Sequence, residues 1–161
     1  MRVIAYDITP PKGVEGIEFV SLEEALSQGD FVSLHAALTP QNRGLIGEAQ
    51  LRRMKPNAYL INTARGPLID EFALTRALKE GWIAGAALDV FSTEPLPMDN
   101  PLRSAPNILL TPHLASFARE TGEKVSDASA QAIIELMNGR RARWVVDGKV
   151  YDSPNLRIKL K

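Results

Sequence analysis

Three polar clusters in this chain combine residue types that can do chemistry, and each follows a short apolar run. The first is Asn62-Thr63-Ala64-Arg65-Gly66-Pro67-Leu68-Ile69-Asp70-Glu71, directly after Ala58-Tyr59-Leu60-Ile61. Arg65 offers a planar cation that suits a carboxylate or carbonyl, and Gly66 lets backbone approach closely. The second is Asp89-Val90-Phe91-Ser92-Thr93-Glu94-Pro95, and the third is Thr111-Pro112-His113-Leu114-Ala115-Ser116. In open α/β sheets the turns at the carboxyl ends of strands are where ligands bind. An arginine, a glutamate and a histidine, each at such a turn, are therefore expected to converge on one site.

The elements that would position them are legible from local pattern. Strands are expected at Arg2 to Tyr6, Asp30 to His35, Ala58 to Ile61, Ile83 to Leu88 and Asn107 to Leu110. Ser21 and Glu24 have the spacing of a capping box that opens a helix. A short helix is expected from Glu48 to Met54. Asp70 is expected to cap a helix that runs to about Glu80 and stops at Gly81. A long helix spans Phe117 to Asn138, with Val125, Ala128, Ala132, Ile133 and Leu136 as an apolar stripe. The strands are apolar throughout rather than alternating, the pattern of strands covered on both faces. The fold class that follows is α/β, a doubly wound parallel sheet. In the tail, Val145 to Tyr151 reads either as a small hairpin around Asp147-Gly148 or as an extended segment packing Trp144 and Val146.

Composition narrows the function classes. The 161 residues suit one domain, 45% are apolar, and 19 basic residues balance 19 acidic ones. A net charge of zero points to neither nucleic acid nor an anionic membrane as partner. No apolar run approaches the ~20 residues that span a bilayer, and the first residues turn polar too soon for a signal peptide. With no cysteine and two histidines, disulfides and a metal site are not expected. The cysteine count is compatible with the cytoplasm. The basic end, Arg157 to Lys161, reads as a solvated tail.

Taken together, the three motifs resemble the NAD-binding domain of the D-2-hydroxyacid dehydrogenases, the group of phosphoglycerate dehydrogenase and glyoxylate/hydroxypyruvate reductase. The likeness runs from about Val3 to about Pro154. It implies a Rossmann-like domain over residues 1–142, a tail over 143–161, NAD as cofactor and a 2-hydroxy or 2-keto acid as substrate. It also implies catalytic roles for Arg65, Glu94 and His113. His113 suits the base that takes the hydroxyl proton, Glu94 the carboxylate that orients it, and Arg65 the anchor for the substrate carboxylate. Asp7, ending the first strand, would bond the ribose hydroxyls and repel a 2′-phosphate, favouring NAD over NADP. Asp89 resembles the acid that contacts the nicotinamide carboxamide, or else it caps a turn. Thr63, Ala64, Ala115 and Ser116 would meet the cofactor through backbone or small side chains. His35 and Ala36 lie in Leu34-His35-Ala36-Ala37-Leu38-Thr39, similar to the family pattern L-H-x-P-L-T with Ala37 in place of proline. His35 is either a cofactor contact or a strand-end histidine satisfied locally. Relatives dimerise through this domain, so a homodimer is expected of the complete protein.

None of the 11 glycines forms the G-x-G pair of a phosphate-binding loop. In the strand order 3-2-1-4-5-6, the strand preceding that loop is central. We therefore expect the sheet to lack its first strand, and the chain to be the C-terminal portion of a longer enzyme or the product of a truncated reading frame. The substrate domain would be missing as well. A non-catalytic dinucleotide-binding or protein-interaction module, and an inactive remnant, are the competing expectations.

Overall fold

The computed structural model describes residues 1–157, which form two compact units dividing between Ala115 and Ser116. The first unit runs β1 (Ile4–Ala5), β2 (Glu18–Phe19), α1 (Leu22–Gln28), β3 (Phe31–Leu34), α2 (Glu48–Leu51), β4 (Tyr59–Asn62), α3 (Glu71–Glu80), β5 (Gly85–Leu88) and β6 (Ile108–Leu110). Every strand pair is parallel. One sheet has the order β3-β4-β5-β6, while β1 and β2 form a separate two-stranded ladder. Strand β2 escaped the sequence reading because two residues carry no period.

Local chemistry sets the helix ends as expected. The Ser21 hydroxyl accepts the Glu24 N–H, and Glu24 bonds back to the Ser21 N–H at 2.9 Å. Asp70 accepts the N–H groups of Phe72 and Ala73 at 3.0 Å each. Gly81, at φ 72°, closes α3 in the left-handed conformation that glycine adopts without steric cost.

The two faces of the sheet are covered unequally in this chain. Partners in register share a face. Val32, Leu34, Leu60, Ala86, Leu88, Ile108 and Leu110 face one core with Leu26 of α1, Leu51 of α2, and Leu74, Ala77 and Leu78 of α3. The opposite face carries Phe31 (70% exposed), stacked on the half-exposed Tyr59, and Leu109 (63% exposed). All three helices of this unit thus send their buried residues to one side of the sheet. Apolar composition on both faces reports what a strand can bury, not what covers it in this chain.

The turn after β4 packs directly on the loop after β5. A side chain at Gly66 would overlap the Phe91 carbonyl and the Ser92 nitrogen, so only glycine fits. Residues 44–46 brace the same turn. Gly44 N–H bonds the Pro67 carbonyl at 2.9 Å, Ile46 N–H bonds the Leu68 carbonyl at 3.0 Å, and Asp70 N–H bonds the Ile46 carbonyl at 3.0 Å.

In the second unit, α4 (Arg119–Met137) falls inside the expected helix, but its apolar stripe is not buried. Val125 and Ile133 are exposed, and no residue of α4 is fully buried. The tail forms neither a hairpin nor a packed strap. Asp147 accepts the Lys149 N–H at 2.9 Å and starts a 3-10 turn over Gly148–Asp152, while Trp144 and Val146 are exposed. An aspartate side chain bonding two residues ahead nucleates a turn instead of a hairpin. The basic end from Ile158 onward lies outside the described residues.

Replacing Gly66 with alanine forces a backbone shift in a packed turn and is expected to cost at least about 3 kcal/mol. Gly47→Ala, at a site with room for a methyl group, is expected to change stability by less than about 1 kcal/mol. Urea unfolding of the two variants checks the contrast.

Candidate active site

Because the strands of the larger sheet are all parallel, their carboxyl ends lie along one edge. His35 and Ala36 follow β3. Thr63, Ala64 and Arg65 follow β4, Asp89 follows β5, and His113 and Ala115 follow β6. The edge therefore holds most of the residues singled out from the sequence. Asp7 follows β1, in the separate ladder, and accepts the Thr9 N–H at 2.7 Å through Oδ1. Ser116 opens the second unit and is exposed.

Asn62 builds the arginine turn. It is fully buried, accepts the Ala64 N–H at 3.0 Å and donates to the Arg65 carbonyl at 2.9 Å. Its own carbonyl accepts the Asp89 N–H at 3.0 Å, which joins this turn to the next strand end. The sequence pattern alone assigns Asn62 no role. An asparagine at a strand end, two residues before a turn amide, was the available signal. The exposed Arg65 guanidinium donates from Nη1 to the Ala64 carbonyl at 2.6 Å.

His113 and Glu94 come together as expected, with His113 Nδ1 2.7 Å from Glu94 Oε2. Glu94 Oε1 accepts the Phe91 N–H at 2.9 Å, so its carboxylate is anchored at both oxygens. With Nδ1 donating to Glu94, His113 Nε2 has no hydrogen-bond partner among the described residues. Arg103 braces the far end of the glutamate loop, donating to the Pro97 carbonyl at 2.9 Å and the Leu96 carbonyl at 2.6 Å.

The His113 backbone has φ 58°, a left-handed conformation uncommon outside glycine. Asp89 holds it there. The aspartate is 4% exposed, and its Oδ1 accepts both the Thr111 hydroxyl and the Leu114 N–H, the latter at 2.8 Å. Its Oδ2 accepts the Ala115 N–H at 2.8 Å. The histidine is thus pinned on both sides by one buried carboxylate.

Both acids are held ionised. The His113 side chain first, and then the Phe91 N–H, draw the Glu94 carboxyl below the usual carboxylate range. Arg65 adds a smaller pull in the same direction. Burial pushes Asp89 upward, but the Thr111 hydroxyl and the Ala115 and Leu114 amides together outweigh it and leave the group lowered.

Two cavities open at this edge. One, of about 480 Å³, is lined by Phe91, Glu94, Pro95, Leu110, Thr111 and His113, among others. The second, of about 510 Å³, is lined by His35, Ala36, Ala37, Leu38, Thr63, Ala64 and Arg65. The histidine–glutamate pair and the arginine therefore line different cavities. His35 Nε2 lies 2.9 Å from the Ser33 hydroxyl, a local partner for it.

This parallel α/β unit, with polar side chains gathered at the strand ends, belongs to a defined class. Residues 1–115 match the family described as "D-isomer specific 2-hydroxyacid dehydrogenase, NAD binding domain", and the chain belongs to that family. It is 48% identical over 142 residues to a glyoxylate reductase of Korarchaeum cryptofilum, covering 86% of this chain and 43% of that protein. Among solved structures, it is similar to D-lactate dehydrogenase with NAD+ from Lactobacillus jensenii. That likeness has a TM-score of 0.83 and 34% identity, and covers 91% of this chain and 48% of the other. It is also similar to a D-isomer specific 2-hydroxyacid dehydrogenase of Xanthobacter autotrophicus Py2 in complex with NADPH and MES. There the TM-score is 0.76 and the identity 37%, covering 91% of this chain and 61% of the other. The chain spans about half the length of the curated relatives it matches. No helix among the described residues is long and apolar enough to cross a membrane.

Since Asp89 and Glu94 are both lowered on folding, their ionised forms favour the folded state. That contribution is full above about pH 5 and fades as pH falls through the lowered values. Asp89→Asn is expected to cost about 1–3 kcal/mol at pH 7, because two amides and a hydroxyl lose their charged acceptor. The variant's melting temperature is also expected to fall less steeply than the unmodified protein's below pH 4. Thermal melts from pH 2.5 to pH 7 check both the offset and the slope.

Proposed function

We propose that this chain carries the substrate-facing part of an NAD-dependent oxidoreductase that interconverts a D-2-hydroxy acid and a 2-keto acid. The observation that carries the reading is the Glu94–His113 pair at 2.7 Å, with Nε2 unpaired among the described residues, on the strand-end edge that also bears Arg65. His113 takes the hydroxyl proton at Nε2 when a 2-hydroxy acid is oxidised, and returns it when a 2-keto acid is reduced. Glu94 stabilises the imidazolium formed in between and fixes the ring by its bond to Nδ1. Arg65 swings from the Ala64 carbonyl to hold the substrate carboxylate with its fork and to polarise the carbonyl.

NAD, when bound, accepts or supplies the hydride. The residues present fit its two ends. Asp7 Oδ1 accepts the Thr9 N–H, and Oδ2, with no partner among the described residues, would accept ribose hydroxyls. Thr63, Ala64 and Ala115 would offer backbone and small side chains to the cofactor, and His35 and Ala36 would add further contacts. Asp89 bonds the His113 turn, and the lone pair left on Oδ2 is its capacity toward a carboxamide. The phosphate-binding glycine loop has no counterpart in this sequence. In this reading residues 1–142 are the NAD-binding portion and 143–161 a tail. We place the protein in the cytoplasm and expect the complete enzyme to be a homodimer.

The split sheet supports a chain that works with a further strand. One parallel strand between β1 and β3 gives the order β2-β1-X-β3-β4-β5-β6, in which β2, β1, X and β3 to β5 take the places 3-2-1-4-5-6. Without it, β1 and β3 each leave an edge unpaired, which invites association. A non-catalytic nucleotide-binding module is the second reading, favoured by an Arg65 folded onto its own backbone.

NADH oxidation with glyoxylate and with hydroxypyruvate tests the proposal. Activity in the unmodified protein, reduced by at least about 100-fold in His113→Ala, supports it; background rates in both overturn it. Titration with NADH and NADPH tests the nucleotide preference. Asp7→Ser is expected to narrow the gap between the two by about tenfold, because a negative charge beside a 2′-phosphate is removed.

A further inference from the structure

We propose that Glu71 is a positioning residue for the acid–base pair: it holds the loop that aims Glu94 at His113. The inference rests on the catalytic reading of that pair and adds a residue to it. Glu71 is the first residue of α3 and lies six positions after Arg65. Its Oε1 accepts the Ser92 N–H at 2.6 Å, and its Oε2 accepts the Asn100 side-chain amide at 3.0 Å. The bonded residues bracket Glu94 on either side. Asn100 cannot relax freely, because its Oδ1 caps the next turn through the Leu102 N–H at 2.9 Å.

The adjacent amide, Phe91 N–H, is the one Glu94 Oε1 accepts. Consecutive N–H groups at 91 and 92 are thus taken by two carboxylates, and the peptide between them lies on Gly66. The segment is fixed from three sides: backbone packing from the arginine turn, Glu71 from α3, and Glu94 itself. A charged acceptor makes the Ser92 bond stronger than a neutral one. Removing it frees the loop to pivot, lengthening both the Glu94–Phe91 and the Glu94–His113 bonds. Since those bonds lower Glu94, its titration reports the loop's position.

The test is carbon-detected NMR titration of the Glu94 side-chain carboxyl in the full chain, with Glu71→Gln, Glu71→Ala and the surface control Lys79→Ala. Positioning and charge predict opposite signs. Losing the clamp weakens Glu94's bonds and moves its midpoint up, toward the ordinary carboxylate range. Losing only a nearby negative charge moves it down. An upward movement in Glu71→Gln, larger in Glu71→Ala and absent in Lys79→Ala, supports the proposal. A downward movement or none overturns it. Should Glu71→Ala not fold, Glu71→Gln, which keeps one acceptor oxygen, carries the measurement. In the hydride-transfer assay, Glu71→Gln is expected to lower kcat by up to about 100-fold while KM for the keto acid changes less than about twofold. If the unmodified protein shows no turnover, the catalytic reading fails while the titration still decides the clamp.

Discussion

The close approach of the Phe91–Ser92 peptide to Gly66 is the constraint on which the site depends. It is a backbone-on-backbone contact, so no side chain can adjust to absorb error. The turn that ends in Arg65 and the loop that carries Glu94 are consequently one packed body. Asn62 strengthens the junction from below, binding the arginine turn with its side chain and the Asp89 amide with its carbonyl. Each of these bonds exchanges water for a protein partner and has a small net value. Their effect comes from concentration within a few residues, where a shift of any one strains the others.

Three carboxylates divide the remaining work, and their surroundings distinguish them. Asp89 is buried and bonds a hydroxyl and two amides, so it acts on backbone shape. Glu94 is partly exposed and bonds the imidazole at Nδ1, so it acts on ring orientation. Glu71 reaches across from a helix terminus to bond a loop amide and an asparagine. A histidine at φ 58° costs on the order of 1–2 kcal/mol relative to ordinary backbone. It persists because the residues on both sides are bonded to the same aspartate. In this conformation Nδ1 lies 2.7 Å from Glu94 Oε2, and Nε2 has no hydrogen-bond partner among the described residues.

Much of this was legible in the sequence, for reasons that also explain what was not. Asp70, Gly81 and the Ser21–Glu24 pair act through their immediate neighbours, so their pattern fixes the ends of α1 and α3. Arg65, Glu94 and His113 stood out because each follows an apolar run, and the parallel ladder carries their turns to one edge. The clamps were hidden because they are long-range. Glu71 meets Ser92 and Asn100 across more than 20 residues, and Asp89 meets Thr111, Leu114 and Ala115 across a similar span. Nothing local in Asp89-Val90-Phe91 separates a turn-holding aspartate from a ligand-binding one. The incompletely buried stripe of α4 and the thinly covered sheet face were hidden for a related reason. Periodicity shows which face is apolar, whereas the element that covers it is a property of the assembled chain.

The distribution of edges explains how an ordered site coexists with a divided sheet. The strands left with a single neighbour at the division are β1 and β3. Arg65 and Asp89 follow β4 and β5, which have a partner on both sides. Thr111 to Ala115 follow β6, whose only ladder among the described residues is to β5, but that turn is bonded to Asp89 as well. Disturbance at the division reaches His35 and Ala36 directly, since they follow β3, and Asp7, since it follows β1. The Gly66 junction and the aspartate-held histidine turn, by contrast, draw their contacts from within residues 62–115.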